Sequence, residues 1–144
     1  MIKYNFNDSL GFIIVKAGRL IENKLKSNFE KEGISVTPQQ WSVLTVLWNE
    51  DGISQQKLAD SFSKDKTSIT RLLNNMEKNE LILRKQNSHD MRNKKVFLTV
   101  KSKLLKKESI AVAEKTLLDA LQGIDHNELR LTRNVLKKIN ENLD

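Results

Sequence analysis

QQKLADSFSKDKTSITRLLNNMEK, residues 55–78, holds two apolar stripes of unequal length separated by a polar break. Leu58, Ala59 and Phe62 make a short helix, with Ser54 in front of it as a cap. Beyond the break, Ile69, Leu72, Leu73 and Met76 keep the i, i+3, i+4, i+7 spacing of one buried face. That spacing predicts a second helix over 64–79, opened by Ser63 or Asp65. A short helix over 55–61, a tight turn and a longer helix make a helix-turn-helix. Two strand-like runs, about 81–86 and 95–99, follow around the loop SHDMRNKK, residues 88–95. A hairpin directly after the second helix makes the unit a winged helix. The loop carries Arg92, Lys94, Lys95 and a histidine, His89, which is more charge than a surface turn needs.

Helices extend the unit on both sides. Leu10, Ile13, Ile14, Ala17, Leu20 and Ile21 predict a helix over 8–31 that Gly33 ends. Thr37-Pro38-Gln39-Gln40 is a strong start signal, with threonine as cap, proline in the first turn and glutamine reaching back. The helix it opens runs to about Asp51-Gly52. Thr99 to Gln122 reads as another long helix, and Asp125-His126-Asn127-Glu128 as a capping box opening a last one to about 142. The fold expected is mainly α: a winged helix-turn-helix of five to six helices with a two-stranded β-hairpin wing. Residues 1–144 form one unit, with 36–100 as the winged helix and 1–32 and 101–144 as flanking helices.

Composition narrows the chemistry. The chain of 144 residues carries +7, distributed unevenly. Residues 54–107 hold 14 basic and 5 acidic side chains, whereas 1–53 are balanced and 108–144 are slightly acidic. A basic zone inside a balanced chain points to an anionic polymer as partner. Absence of cysteine excludes disulfides, thiolate metal sites and thiol redox chemistry, and two histidines, His89 and His126, do not make a zinc site. No apolar run approaches the roughly 20 residues of a membrane span, and the six-residue run Leu10–Val15 is no signal peptide, so a cytoplasmic protein is expected. There is no Gly-rich phosphate loop, no His/Asp/Ser set and no paired carboxylates, so neither an enzyme nor a cofactor or metal protein is expected.

The second helix of such a unit enters the major groove by its N-terminal half. Opposite its apolar stripe lie Lys64, Thr67, Arg71, Asn74 and Lys78, with Ser68 and Thr70 beside them. Arginine grips guanine O6 and N7 together, and threonine or serine meets a base edge, a thymine methyl or a phosphate. Lys64 and Lys66 at the helix start suit phosphate. Asp65 and Glu77 are read as flanking the buried side. The wing tip then falls over the adjacent minor groove, where arginine is favoured. Asp90, two residues before Arg92, is read as the carboxylate that orients the guanidinium, and Lys94 and Lys95 as phosphate contacts. A merely solvated basic surface, or a winged-helix adaptor docking an acidic protein without DNA, is the alternative.

Taken together, TPQQWSVLTVL (37–47), QQKLADSFSKDKTSITRLLNNMEKNELILR (55–84) and HDMRNKKVFLT (89–99) resemble the MarR-type transcriptional regulators. The resemblance covers nearly the whole chain. It implies a homodimer on a near-palindromic operator, with residues 64–75 in the major groove, Arg92 in the minor groove and Asp90 orienting it. Two positions depart from the family pattern. Glu80 stands where the family has glycine, so Asn79 is expected to take the left-handed turn, and Ser102 replaces a second glycine.

Leu104, Leu117, Leu118, Leu129, Val135, Leu136, Ile139 and Leu143 are too many apolar residues for so small a core, so a partner copy is expected to cover them, rather than one chain folding on itself. The resemblance also implies release of DNA by a small aromatic or anionic effector. Phe12, Lys16, Trp41 and Trp48 are candidates for lining its cleft, although both tryptophans also suit plain core packing. A repressor without any effector stays open.

Overall fold

The structure is a computed structural model; it describes residues 5–62, 66–87 and 90–144, without the side chains of 7, 87 and 90–93. Among the described residues the order is α1 (Leu10–Lys31), α2 (Pro38–Asn49), β1 (Ile53–Ser54), α3 (Gln55–Asp60), α4 (Lys66–Lys78), β2 (Ile82–Asn87), β3 (Asp90–Leu98), α5 (Val100–Ala120) and α6 (His126–Leu143). A short 3₁₀ turn, Phe6–Asp8, precedes α1.

The start signals act as read. The Thr37 hydroxyl accepts from Gln40 N at 3.1 Å, and the Gln40 side chain accepts from Thr37 N at 3.0 Å. Asp125 and Glu128 form the same box ahead of α6, Ser54 caps α3 and Thr99 caps α5. Stop signals hold a correction. α1 ends with Gly33 at φ 71, and Ile34 N reaches back to Phe29 O. α4 ends in the same geometry, Leu81 N donating to Met76 O at 2.8 Å and Glu80 N to Glu77 O at 3.0 Å. The residue with positive φ there is Glu80 (61°), not Asn79. The motif fixes the left-handed position one residue past the cap, and burial of Leu81 over Met76 sets the register. A glutamate there carries a steric cost that glycine escapes. Glu80→Gly is therefore expected to stabilise the fold by about 0.5–1 kcal/mol, read as a higher urea midpoint with an unchanged m-value.

The wing differs from a plain hairpin. β1 pairs antiparallel with β3 (Ile53 with Val96, Ser54 with Lys95), so the sheet has three strands in the order β1-β3-β2. β3 begins at Asp90, so the basic stretch expected as loop is mostly strand. A two-residue strand has no hydropathy period, which is why it is invisible in sequence. Asp51 locks this edge: its Oδ1 accepts from Leu98 N at 2.8 Å and from Gly52 N at 3.0 Å. Gly52 (φ 73) has no room for a side chain, because a Cβ would sit 2.7 Å from the Phe97 ring.

The core lies where α2, α3 and α4 meet the sheet and the end of α1. Phe29, Val43, Leu44, Leu47, Leu58, Leu73, Met76, Ile82 and Val96 are wholly buried. α5 meets α1 and α2 through small hydroxyl residues one heptad apart, Ser102, Ser109 and Thr116, all buried. Each returns its hydroxyl proton to a carbonyl (Leu81, Lys106 and Val112 respectively), so their burial costs little. Ser102 thus fills the family's glycine position with a tie to the chain just before the wing. None of α6 is buried, and only Leu129 and Ile139 are even partly covered.

Candidate nucleic-acid interface

α4 turns Ile69, Leu73 and Met76 into the core and leaves Lys66, Thr67, Ser68, Thr70, Arg71 and Asn74 exposed. Lys64 lies outside the described residues. Three contacts fix how this helix is presented. The apolar face is the first. The second is Gln40, whose amide donates to Asn75 Oδ1 at 3.0 Å while its carbonyl completes the cap of α2. Asn79 donates to that same Asn75 oxygen at 2.9 Å.

Arg84 on β2 is the third, and sequence reading passed over it. Its Nε and Nη2 donate to the two Glu77 oxygens, both at 3.2 Å; Nη2 also reaches Asn74 Oδ1 at 2.6 Å, and Nη1 reaches Gln55 Oε1 at 3.4 Å. The side chain is 11% exposed. One guanidinium therefore ties the wing to α3 and to two positions on α4. A signal was present: Arg84 shares strand parity with buried Ile82, and an arginine at an inward position needs partners.

This contact adds to the reading of Glu77 as flanking the buried side: the residue is exposed there, and it is neutralised by Arg84. The hydrogen bond from Arg84 is the largest cause holding the Glu77 carboxyl below the usual carboxylate range; partial burial opposes it, and the guanidinium charge adds a smaller pull in the same direction as the hydrogen bond. A carboxylate lowered in the folded state contributes stability that is complete above its unfolded titration and is lost as pH falls through the folded value. Glu77→Gln is accordingly expected to lower stability near neutrality, where the pair contributes, and to converge with the parent in acid, so that the acid limb of the stability–pH curve flattens. An unchanged acid limb would show that the pair adds nothing.

Wing residues separate by face. Lys94 has strand parity with Val96 and lines a groove with Lys66, Thr70, Asn74 and Arg84. Lys95 falls on the other face, opposite Lys85, which lies 5.3 Å from the Phe97 ring centroid. Among the described residues, Lys66, Arg71, Lys94 and Lys95 enter no ion pair. Two lysines directly opposite each other on paired strands repel, a cost that a polyanion would relieve. Asp90 and Arg92 belong to β3, but their side chains lie outside the described ones, as does the loop histidine His89.

Of the four candidate cleft residues, Trp41 and Trp48 meet edge to face with ring centroids 6.4 Å apart, and Phe12 and Lys16 do not join them. Trp41 lines a cavity of about 330 Å³ with Gly18, Ile21, Leu25, Phe62 and Leu72. Phe12 packs on Phe6 at 5.3 Å, Lys16 is exposed, and neither it nor Phe12 lines that cavity. Trp48 donates to Ser102 O at 3.1 Å, a structural role. Trp41 Nε1 is buried with no partner among the described residues. No group of three or more potential metal ligands and no helix long and apolar enough to cross a membrane occurs among the described residues.

A helix-turn-helix, a three-stranded wing and an exposed basic recognition face define a winged-helix DNA-binding protein. The MarR family model matches residues 36–94. A SlyA-like transcription regulator from Listeria monocytogenes is 30% identical with a TM-score of 0.79, covering 99% of this chain and 90% of that one. A MarR family regulator from the same species, solved with a 26mer DNA, is 29% identical over the same shares, also with a TM-score of 0.79. The HTH-type transcriptional regulator MgrA of Staphylococcus aureus is 26% identical over 137 residues, 95% of this chain and 91% of its own. The chain belongs to the MarR family of winged helix-turn-helix transcriptional regulators, DNA-binding proteins that are not enzymes.

Proposed function

We propose that this regulator binds a near-palindromic operator as a homodimer and represses by occupying it. Residues 36–100 read the DNA, and 1–32 with 101–144 form the dimer. The observation that carries the reading is the outward face of α4, which offers lysine, hydroxyl, arginine and amide groups while its one described carboxylate, Glu77, is taken up by Arg84. Arg71 and Asn74, with Thr67, Ser68 and Thr70, face base edges; Lys64, Lys66 and the free N–H groups at the start of α4 meet phosphate. Arg92 enters the minor groove, oriented by Asp90, and Lys94 and Lys95 meet backbone on either side of the wing. The uncovered apolar surface of α1, α5 and α6 supports the dimer.

An effector, if the regulator has one, fits the Trp41 cavity, whose walls are largely apolar and whose single ionisable lining residue is Glu22. Of the aromatic or anionic effectors that the family resemblance implies, that lining suits an uncharged or cationic aromatic compound better than an anion. With no cysteine in the chain, thiol oxidation is not the signal.

Selection of bound duplexes from a random pool tests the reading and yields the site together. Arg71→Ala is expected to cost about 1–3 kcal/mol of discrimination, and Arg92→Ala a similar amount, centred on flanking A·T steps. Lys95→Ala should weaken all duplexes alike and shrink the salt slope by about 1. A parent protein with no preference among duplexes would end the proposal.

A further inference from the structure

Three elements wall one groove of about 340 Å³ on the recognition side of the molecule. α3 supplies Gln55, α4 supplies Lys66, Thr70 and Asn74, and the wing supplies Arg84 from β2 and Lys94 from β3. No carboxylate lines it among the described residues. Arg84 already has its counter-charge, since it donates to both oxygens of Glu77. Lys66 and Lys94 enter no ion pair among the described residues, and both are exposed. Two uncompensated ammonium groups from separate elements therefore share one recess, and an anion between them offsets their repulsion.

We propose that this groove seats one DNA backbone phosphate per half-site, gripped by Lys66 of α4 and Lys94 of β3 together. That phosphate lies where the strand passes from the groove read by α4 to the groove under the wing. Phosphate suits such a pair because its two free oxygens accept from donors on either side, and lysine binds it as a point charge from any direction. The walls are held in place by Arg84, which also reaches Asn74 on α4 and Gln55 on α3. Gln55 turns its oxygen to Arg84, so its NH₂ group is left as a third donor. The Thr70 hydroxyl gives its proton to Lys66 O at 2.7 Å and adds no donor. One phosphate held from both elements fixes the helix and the wing in a single register on the duplex.

This seat presupposes α4 in the major groove, as proposed above, and the test tells the two apart. The operator recovered by random-pool selection is synthesised with one symmetric pair of neutral methylphosphonates at a time. It is titrated with the parent, Lys66→Ala, Lys94→Ala, their double variant, Lys95→Ala and Arg71→Ala; all four positions are exposed, so no core contact is lost. Parent affinity should fall about tenfold per half-site when one particular phosphate is neutralised. Lys66→Ala and Lys94→Ala should each shrink the loss at that same phosphate. The double variant should abolish it and lower the salt slope by about 1 per half-site, against about 2 for two separate contacts. Lys95→Ala, on the opposite face of β3, should leave that phosphate's effect intact. Lys66→Ala and Lys94→Ala mapping to different phosphates, or only one of them mapping to any, would overturn the shared seat. So would a complex in which neither maps to a phosphate while Arg71→Ala loses discrimination, a result that leaves the major-groove reading standing. If Arg71→Ala is without effect as well, that reading falls and the seat with it.

Discussion

Val135→Glu combined with Leu136→Glu will give a folded monomer that binds the operator about 10²–10⁴-fold more weakly than the parent, the avidity lost when two linked modules become one. Both residues are exposed on α6, at 54% and 37%, so the chain's own core does not depend on them. α6 makes almost no use of its apolar side chains within one chain, and exposed Leu10, Ile13 and Leu20 on α1 and Leu117 and Leu118 on α5 add to the same unburied surface. Apolar surface of that extent is the mark of an interface. Two carboxylates placed in it have to be desolvated on association, which dissociates the pair. Sedimentation gives the mass, circular dichroism the fold, and a duplex titration the affinity. A double variant that stays dimeric would place the interface on another face of the chain.

Phe29→Ala should remove about 3–5 kcal/mol, a large part of the roughly 5–15 kcal/mol that holds a domain of this size. Phe29 is the one wholly buried residue of α1. It sits 6.0 Å from the Trp41 ring, and its carbonyl accepts the closing hydrogen bond of the α1 cap from Ile34 N. Through it the long N-terminal helix is seated on the winged-helix core. Asn28 adds a polar strut beside it, donating to Thr116 Oγ1 at 2.8 Å. The substitution therefore loosens the joint between the proposed dimer helices and the DNA-reading unit as well as emptying a core site. Urea unfolding followed by Trp41 and Trp48 fluorescence measures the loss. A cost below about 1 kcal/mol, the level of an ordinary surface change, would mean that α1 is anchored elsewhere.

Much of this molecule was legible along the chain. Each helix carries its own start signal or apolar spacing, and these are local: Thr37 with Gln40, Asp125 with Glu128, and Ile69 with Leu73 and Met76 act within a few residues of one another. The exposed face of α4 follows from the same 3.6-residue arithmetic. The sequence alone therefore determined the order of the helices and of the β2–β3 hairpin, the winged-helix class and the outward placement of Thr67, Arg71 and Asn74 on α4.

Contacts between distant residues decided the rest. Joining Arg84 to Glu77 and Asn74, Gln40 to Asn75, and Ile53 to Val96 brings together groups 7 to 43 positions apart, and no spacing rule encodes such pairs. Ser102, Ser109 and Thr116 look like surface polar residues in sequence, and only the close approach of α5 to its neighbours makes them the buried face. The left-handed residue at Glu80 was likewise set by where Leu81 had to be buried, not by which residue best tolerates the turn. Local hydrogen bonding and periodicity fix what each segment becomes; that Arg84 ties the wing to Glu77 and Asn74 is known only once the fold has carried them together.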